Sequence, residues 1–246
     1  MRFVIEFGHN HLGKLIVIEK LLDFFYRSSF SDCTFMLHNL DFYKTNSNFY
    51  ILPKTMEKII SKIHKKKKRI GLAVCDHRSY NFFSHLNFDF YKLLSIGNTN
   101  KNLINLLIKK NCHIYISTGM SSNYRINKSL KIFGSYKKKT IIHTPMTYKT
   151  NELNFPKIIN LKNRFNCDVG YSNHNNNPST LYALSYYNPS TIFLYVKHSN
   201  LSTIEFPDNS HSIQIDNIEK IKSNYLECLN SHKINNKKIK VTIFKK

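Results

Sequence analysis

Short runs of apolar and β-branched residues alternate along this chain with longer stretches whose apolar positions recur at helical spacing. The short runs predict strands over residues 2–7, 31–37, 69–75, 89–95, 112–117, 139–143, 167–172 and 191–197. The stretches between them predict helices near 13–27, 53–67, 78–86, 99–110, 122–136, 151–165 and 177–187, with a last one near 215–230. The segment 99–110 is the clearest. Leu103, Ile104, Leu106, Leu107 and Ile108 make a broad apolar face, and Thr99 stands where a cap is needed. Eight strand–helix units predict an α/β fold, a (β/α)8 TIM barrel, as a single domain over 1–230 with a basic tail at 231–246. An open doubly wound sheet would show the same alternation, so closure does not follow from the pattern alone.

Composition narrows the class. An apolar content of 41% suits a packed domain and argues against disorder. Seven Gly and six Pro exclude collagen-like and Gly/Pro-rich low-complexity chains. Lys plus Arg number 37 against 15 Asp plus Glu, a net charge of +22. Such a balance points to nucleic acid, an acidic membrane, anionic substrates or compositional drift. Abundant Lys, Asn, Ile, Phe and Tyr beside an absence of Trp match A/T-rich codons and favour drift. The lysine runs 65–68, 109–110 and 137–139 each precede a predicted strand, where cations suit the negative end of the preceding helix. In a barrel that is the face opposite the βα loops, hence a solvated rim away from the active site. No standard nucleic-acid-binding motif accompanies the charge, which leaves a nucleic-acid partner the weaker reading.

Cys33, Cys75, Cys112, Cys167 and Cys228 are scattered, without the short spacing of a structural zinc site. They read as buried thiols of a reducing, cytoplasmic compartment. The opening MRFVIEFGHNH lacks the pattern of a signal peptide, and no apolar run approaches the length of a membrane span.

In a barrel the chemistry lies at the strand C-termini. There the chain carries Glu6 to Gly13, then Lys92 and Ser95, Ser117 to Met120, Tyr171 to His174, and Lys197-His198. Two histidines at adjacent strand ends suggest imidazole ligands for a transition metal. These segments are ordered motifs. Glu6, Gly8, Asn10, His11 and Gly13 make an E-x-G-x-N-H-x-G pattern. Tyr91, Lys92 and Ser95 follow, then S-T-G-M-S as Ser117 to Ser121, then Gly170 to His174, Lys197-His198 and Pro207-Asp208. In them the chain resembles the barrel of the N-acetylneuraminate (sialic acid) synthase family.

The resemblance implies an enzyme that condenses phosphoenolpyruvate with an N-acylated amino-sugar aldehyde in nonulosonic acid or surface-polysaccharide biosynthesis. It implies Glu6 and Lys92 as catalytic residues. Asn10, His11, Ser95, Ser117, Tyr148, Ser172 and Asp208 would bind substrate. His174 and His198 would hold a divalent metal, manganese or magnesium. It also implies a homodimer, and the chain stops short of the family's C-terminal antifreeze-like domain. Where the family carries an anion-binding Lys, a Thr, a Glu and an Asn, this chain has Phe35, Ala73, Gly97 and Thr147. Those losses open two alternatives, an altered substrate or a barrel without catalysis. His77 and Arg78, just after strand three, stand where they would restore positive charge.

Overall fold

The computed structural model describes residues 1–198 and 205–232. The chain alternates strand and helix as follows: β1 (Arg2–Glu6), α1 (Leu15–Arg27), β2 (Asp32–Leu37), α2 (Leu40–Thr45), α3 (Pro53–Lys65), β3 (Arg69–Val74), α4 (His77–Asn81), β4 (Phe90–Leu93), α5 (Lys101–Lys109), β5 (His113–Ser117), α6 (Asn123–Phe133), β6 (Lys139–His143), α7 (Pro156–Phe165), β7 (Val169–Asn173), α8 (Pro178–Leu184), β8 (Thr191–Lys197), β9 (Ile213–Gln214) and α9 (Ile218–Ser231). The strands pair in parallel in chain order, and β1 also pairs with β8, from Arg2 opposite Thr191 to Glu6 opposite Tyr195. The sheet is therefore closed: a (β/α)8 barrel rather than an open doubly wound sheet. The short β9 adds to the end of β8, with Ile213 opposite Val196.

Strand alternation divides the apolar residues into two layers. Val4, Phe90, Tyr115, Ile142 and Phe193 form a small cluster of their own, the plug inside the barrel. Their sequence neighbours of opposite parity, among them Ile5, Tyr91, Ile114, Ile141, Ile192 and Leu194, join the large cluster between sheet and helices. That parity decides which side chains at the strand ends reach the interior.

Local chemistry accounts for where the predicted elements shift. Helix α5 begins one residue later than Thr99 would place it. Asn100 is the cap, and its side chain accepts from the Leu103 N–H. Helix α7 starts only at Pro156, whose ring suits the first turn and cannot lie deeper in a helix. The unpredicted α2 is capped by Asn39, which accepts from the Phe42 N–H. All five cysteines are free thiols. Cys33 and Cys75 are buried as expected, whereas Cys112, Cys167 and Cys228 are only half-buried. Among the described residues no helix is long and apolar enough to cross a membrane. Most of the basic tail, 233–246, lies outside the described residues.

The lysine runs fall at the turns leading into β3, β5 and β6, on the face away from the strand C-termini. They do more than ring the surface. Lys68 Nζ donates to the carbonyls of Phe25 (2.5 Å), Ser28 (2.7 Å) and Phe30 (2.7 Å), capping the end of α1. Lys138 reaches the Asn111 carbonyl at 2.8 Å, while Lys110 and Lys139 reach those of Ser84 and Tyr136. On the same face the buried Asp32 carboxylate joins two neighbouring strands, 2.9 Å from Arg2 and 3.4 Å from Arg69.

Candidate active site

Glu6 on β1, Lys92 on β4 and Ser172 on β7 share the inward parity of the barrel plug and meet above it. Lys92 Nζ lies 2.7 Å from each Glu6 carboxylate oxygen and 2.9 Å from Ser172 Oγ. It also sits 4.5 Å from the centre of the Phe193 ring. Glu6 and Lys92 are about 1% exposed and Ser172 is fully buried. Burial pulls the Lys92 ammonium below the usual lysine range, and Glu6 opposes that pull. Removing two charges from water is expensive unless each is paired and hydrogen-bonded. Here all three ammonium donors are used.

Next to this pair a cavity of about 450 Å³ opens at the strand C-termini. His9, Met36, His38 and Phe42 line one side; Met146 to Lys149 and His174 line the other, with Tyr195, Asp208 and His211. A wider groove of about 660 Å³ lies outside the barrel, beside Asn123, Lys157 and Arg164. Mouth position and inward charged groups make the smaller cavity the candidate site. His9 stacks on Phe42 with ring centres 5.0 Å apart, and His38 on Phe42 at 4.3 Å. His174, Tyr195 and His211 form a second aromatic group. His174 lies 5.0 Å from His211, and Tyr195 lies 4.6 Å from His211. Burial, with His211 and Lys92 nearby, holds the His174 imidazole down at about 3. Burial, reinforced by Lys92, holds His211 at about 4. Both are neutral near pH 7 and keep a lone pair for a ligand.

Asp208 faces the same cavity. Its Oδ2 accepts from the His9 N–H at 2.9 Å, and its Oδ1 is 3.6 Å from His211 Nε2. Burial pushes its carboxyl up to about 6, against the His9 N–H and with help from Glu6. Gly8 is required at this approach. Its φ is +52°, and a Cβ there would lie 2.3 Å from Asp208 Oδ2.

The expected site residues separate into groups. Glu6, Lys92 and Ser172 are together; Tyr148, His174 and Asp208 line the cavity. Asn10 and His11 lie beneath it. Asn10 donates to the Val196 carbonyl and Ser212 Oγ, both at 2.8 Å, and accepts from the Asp208 N–H at 3.1 Å, which makes it a brace for Asp208. His11 is fully buried, and its Nδ1 accepts from the Gly13 N–H at 2.9 Å. Ser95 and Ser117 lie beside the cavity. Ser117 Oγ is 2.8 Å from Thr144 Oγ1. Asn98 and Arg125, not anticipated from sequence, tie this corner together: Arg125 donates to Asn98 Oδ1 at 3.0 Å and to the Ser95 carbonyl at 3.2 Å.

The expected pairing of His174 with His198 is not formed. His198 follows the last residue of β8, Lys197, and is not among the residues that line the cavity. Charged groups near His198 include Lys20 and Asp216. The second imidazole at the cavity is His211. The replacement-charge idea also fails. Arg78 is exposed and turns to Asp41 (3.6 Å) and Asp76 (3.9 Å), and His77 lies 3.7 Å from Asp76. Lys149 is the lysine that lines the cavity.

Gly97, where the resemblance calls for a carboxylate, has no room for one. A Cβ there would lie 2.3 Å from the Cys75 carbonyl oxygen. Gly97→Glu is therefore expected to destabilise the protein by about 1–3 kcal/mol through overpacking and to restore no activity. A urea-unfolding midpoint unchanged from wild type would overturn this.

Comparison with known proteins agrees with the architecture. Residues 30–236 match the NeuB family. Over 120 residues the chain is 30% identical to an N,N'-diacetyllegionaminic acid synthase of Campylobacter jejuni, covering 46% of this chain and 36% of that protein. Over 88 residues it is 31% identical to a pseudaminic acid synthase of the same species, covering 34% and 26%. The chain thus spans about a third of these relatives. Among solved structures, an N-acetylneuraminic acid synthetase of Leptospira borgpetersenii superposes with a TM-score of 0.85 at 16% identity, over 95% of this chain and 86% of that one. A spore coat polysaccharide biosynthesis protein E of Chromobacterium violaceum gives 0.83 at 15% identity, over 98% and 78%. At such identities the superpositions speak for the fold, and the match over residues 30–236 speaks for descent: the chain belongs to the NeuB family.

Proposed function

We propose that this protein condenses phosphoenolpyruvate with the aldehyde of an N-acylated amino sugar to form a nonulosonic acid. The observation that carries the reading is the buried Lys92–Glu6–Ser172 group beside a cavity holding Asp208 and His174. The methylene carbon of the enol bonds to the aldehyde carbon, whose oxygen takes up a proton; water adds at the carbon that bears the phosphate, and inorganic phosphate leaves as that carbon becomes the keto group. An incoming carboxylate competes with Glu6 for the Lys92 ammonium. Glu6, so released, is placed to take a proton from the attacking water. Asp208, largely protonated below about pH 6, serves as a hydrogen-bond donor to the sugar there and as an acceptor above it. Tyr148, stacked on His211 at 5.9 Å, closes one side.

The neutral imidazole of His174 suits a divalent metal such as Mn²⁺. When bound, the ion would polarise the aldehyde oxygen as a Lewis acid. One observation favours a second reading, a barrel with a different substrate: Met36, His38 and Phe42 make one wall of the cavity apolar and aromatic. A single assay separates them. With phosphoenolpyruvate, N-acetylmannosamine and Mn²⁺, phosphate release should require the sugar and fall by at least about 10²-fold in His174→Ala. Release that is absent, or indifferent to His174, would favour the second reading.

A further inference from the structure

The imidazole pair at the mouth differs from the one the motifs imply. His174 follows the last residue of β7, Asn173, and lines the cavity, its Nδ1 3.3 Å from the Ser172 carbonyl. An N–H donated there leaves Nε2 free to ligate. His211 ends a 3-10 turn over Asn209–His211, three residues after Asp208, so the two side chains lie on one side of that turn. Its Nδ1 is 3.4 Å from Ser210 Oγ, which likewise leaves Nε2. Ligating histidines commonly hold their second ring nitrogen this way.

The spacing suits a shared ion. Imidazoles bound at about 2.1 Å to one metal place their ring centres roughly 4.6–5.3 Å apart for ligand angles from square to tetrahedral. The observed separation of His174 and His211 is 5.0 Å. Asp208 Oδ1 stands 3.6 Å from His211 Nε2, facing the same space. Among the described residues, no three His, Cys, Asp or Glu side chains close into a finished metal centre. Two protein ligands with water or substrate oxygens completing the shell are what the geometry offers.

We infer that His174 and His211, not His174 and His198, are the imidazole ligands of the divalent metal in this chain. The inference rests on the metal-assisted reading of the site, yet its test needs no turnover. Mn²⁺ alone is titrated into the full chain, and the free-ion electron paramagnetic resonance signal is followed. Wild type should bind one Mn²⁺ per chain. His174→Gln and His211→Gln should each weaken binding by more than about 10-fold, the lower end of what a lost supporting residue costs at a metal site. His198→Gln should stay within about two-fold of wild type, because it removes no ligand. Loss of binding in His198→Gln with binding kept in His211→Gln would overturn the inference, as would a wild type that binds no Mn²⁺. If His211→Gln loses its native circular dichroism, His211→Asp decides the matter: it keeps a donor in place and should bind, and a folded His211→Asp without Mn²⁺ overturns the pair. Mn²⁺ held through His211 by a protein that releases no phosphate would refute the proposed reaction and leave the ligand pair standing.

Discussion

Lys92→Met should cost about 3–5 kcal/mol of folding stability at pH 7, a large share of what a domain of this size possesses. The loss comes from what remains. Without the ammonium, the Glu6 carboxylate stays buried with Ser172 as its remaining donor, at 3.3 Å. A buried charge with one weak partner either pays its desolvation or takes up a proton. The double variant Glu6→Gln/Lys92→Met removes both charges and should recover most of the deficit, so the cycle should show strong coupling in urea unfolding. If the double variant is as unstable as the sum of the two single ones, the pair is not the unit described here. Phosphate release should be lost in all three, which separates the stability of the pair from its chemistry.

Acid should unfold the protein well before its carboxylates are fully protonated. Burial, with His38 nearby, holds His9 at about 4, and burial, with His9 nearby, holds His11 at about 3. Burial also holds His143 at about 4, against the Leu153 carbonyl that its ring faces at 2.9 Å. In the unfolded chain all three titrate near 6.5. Between that value and about 4 the unfolded state binds more protons than the folded one. Stability is therefore intact above about pH 6.5 and falls as the pH is lowered through this window. At about 1.4 kcal/mol per unit, each imidazole removes about 2–3 kcal/mol by pH 4.5, and the three together remove about 8 kcal/mol. Urea midpoints measured at pH 7, 6, 5 and 4.5 should drop steadily, and His143→Gln should lessen the slope by one proton. A flat profile down to pH 5 would show that these rings are solvated.

The barrel was readable because each strand–helix unit carries its own signal and the eight follow one another without a break. Closure was not, since the β1–β8 pairing joins residues about as far apart as the described chain allows. Motif order pointed to Glu6, Lys92, Ser172 and His174, and the fold brings all four to the mouth of the barrel because they lie at or just after strand C-termini. His198, matched in the same way, is not among the residues lining the cavity, and Lys20 and Asp216 are near it. A motif preserves position along the chain, whereas the path the chain takes after Lys197, the last residue of β8, decides where residue 198 comes to lie. His211 carried one faint signal, its place three residues after Asp208. Asn98 and Arg125 carried none, since their roles arise where α6 meets the turn after β4.

The four lysines of residues 65–68 look interchangeable in the sequence, and the fold makes one of them different. Lys65, Lys66 and Lys67 are exposed, but Lys68 is drawn under the end of α1, its ammonium shared among three carbonyls. Anyone lowering the charge of this chain to improve its handling has three dispensable cations in that run and one that closes a helix. Drift toward lysine codons and the needs of a helix end are thus superimposed in a single tetrapeptide, and only the backbone tells them apart.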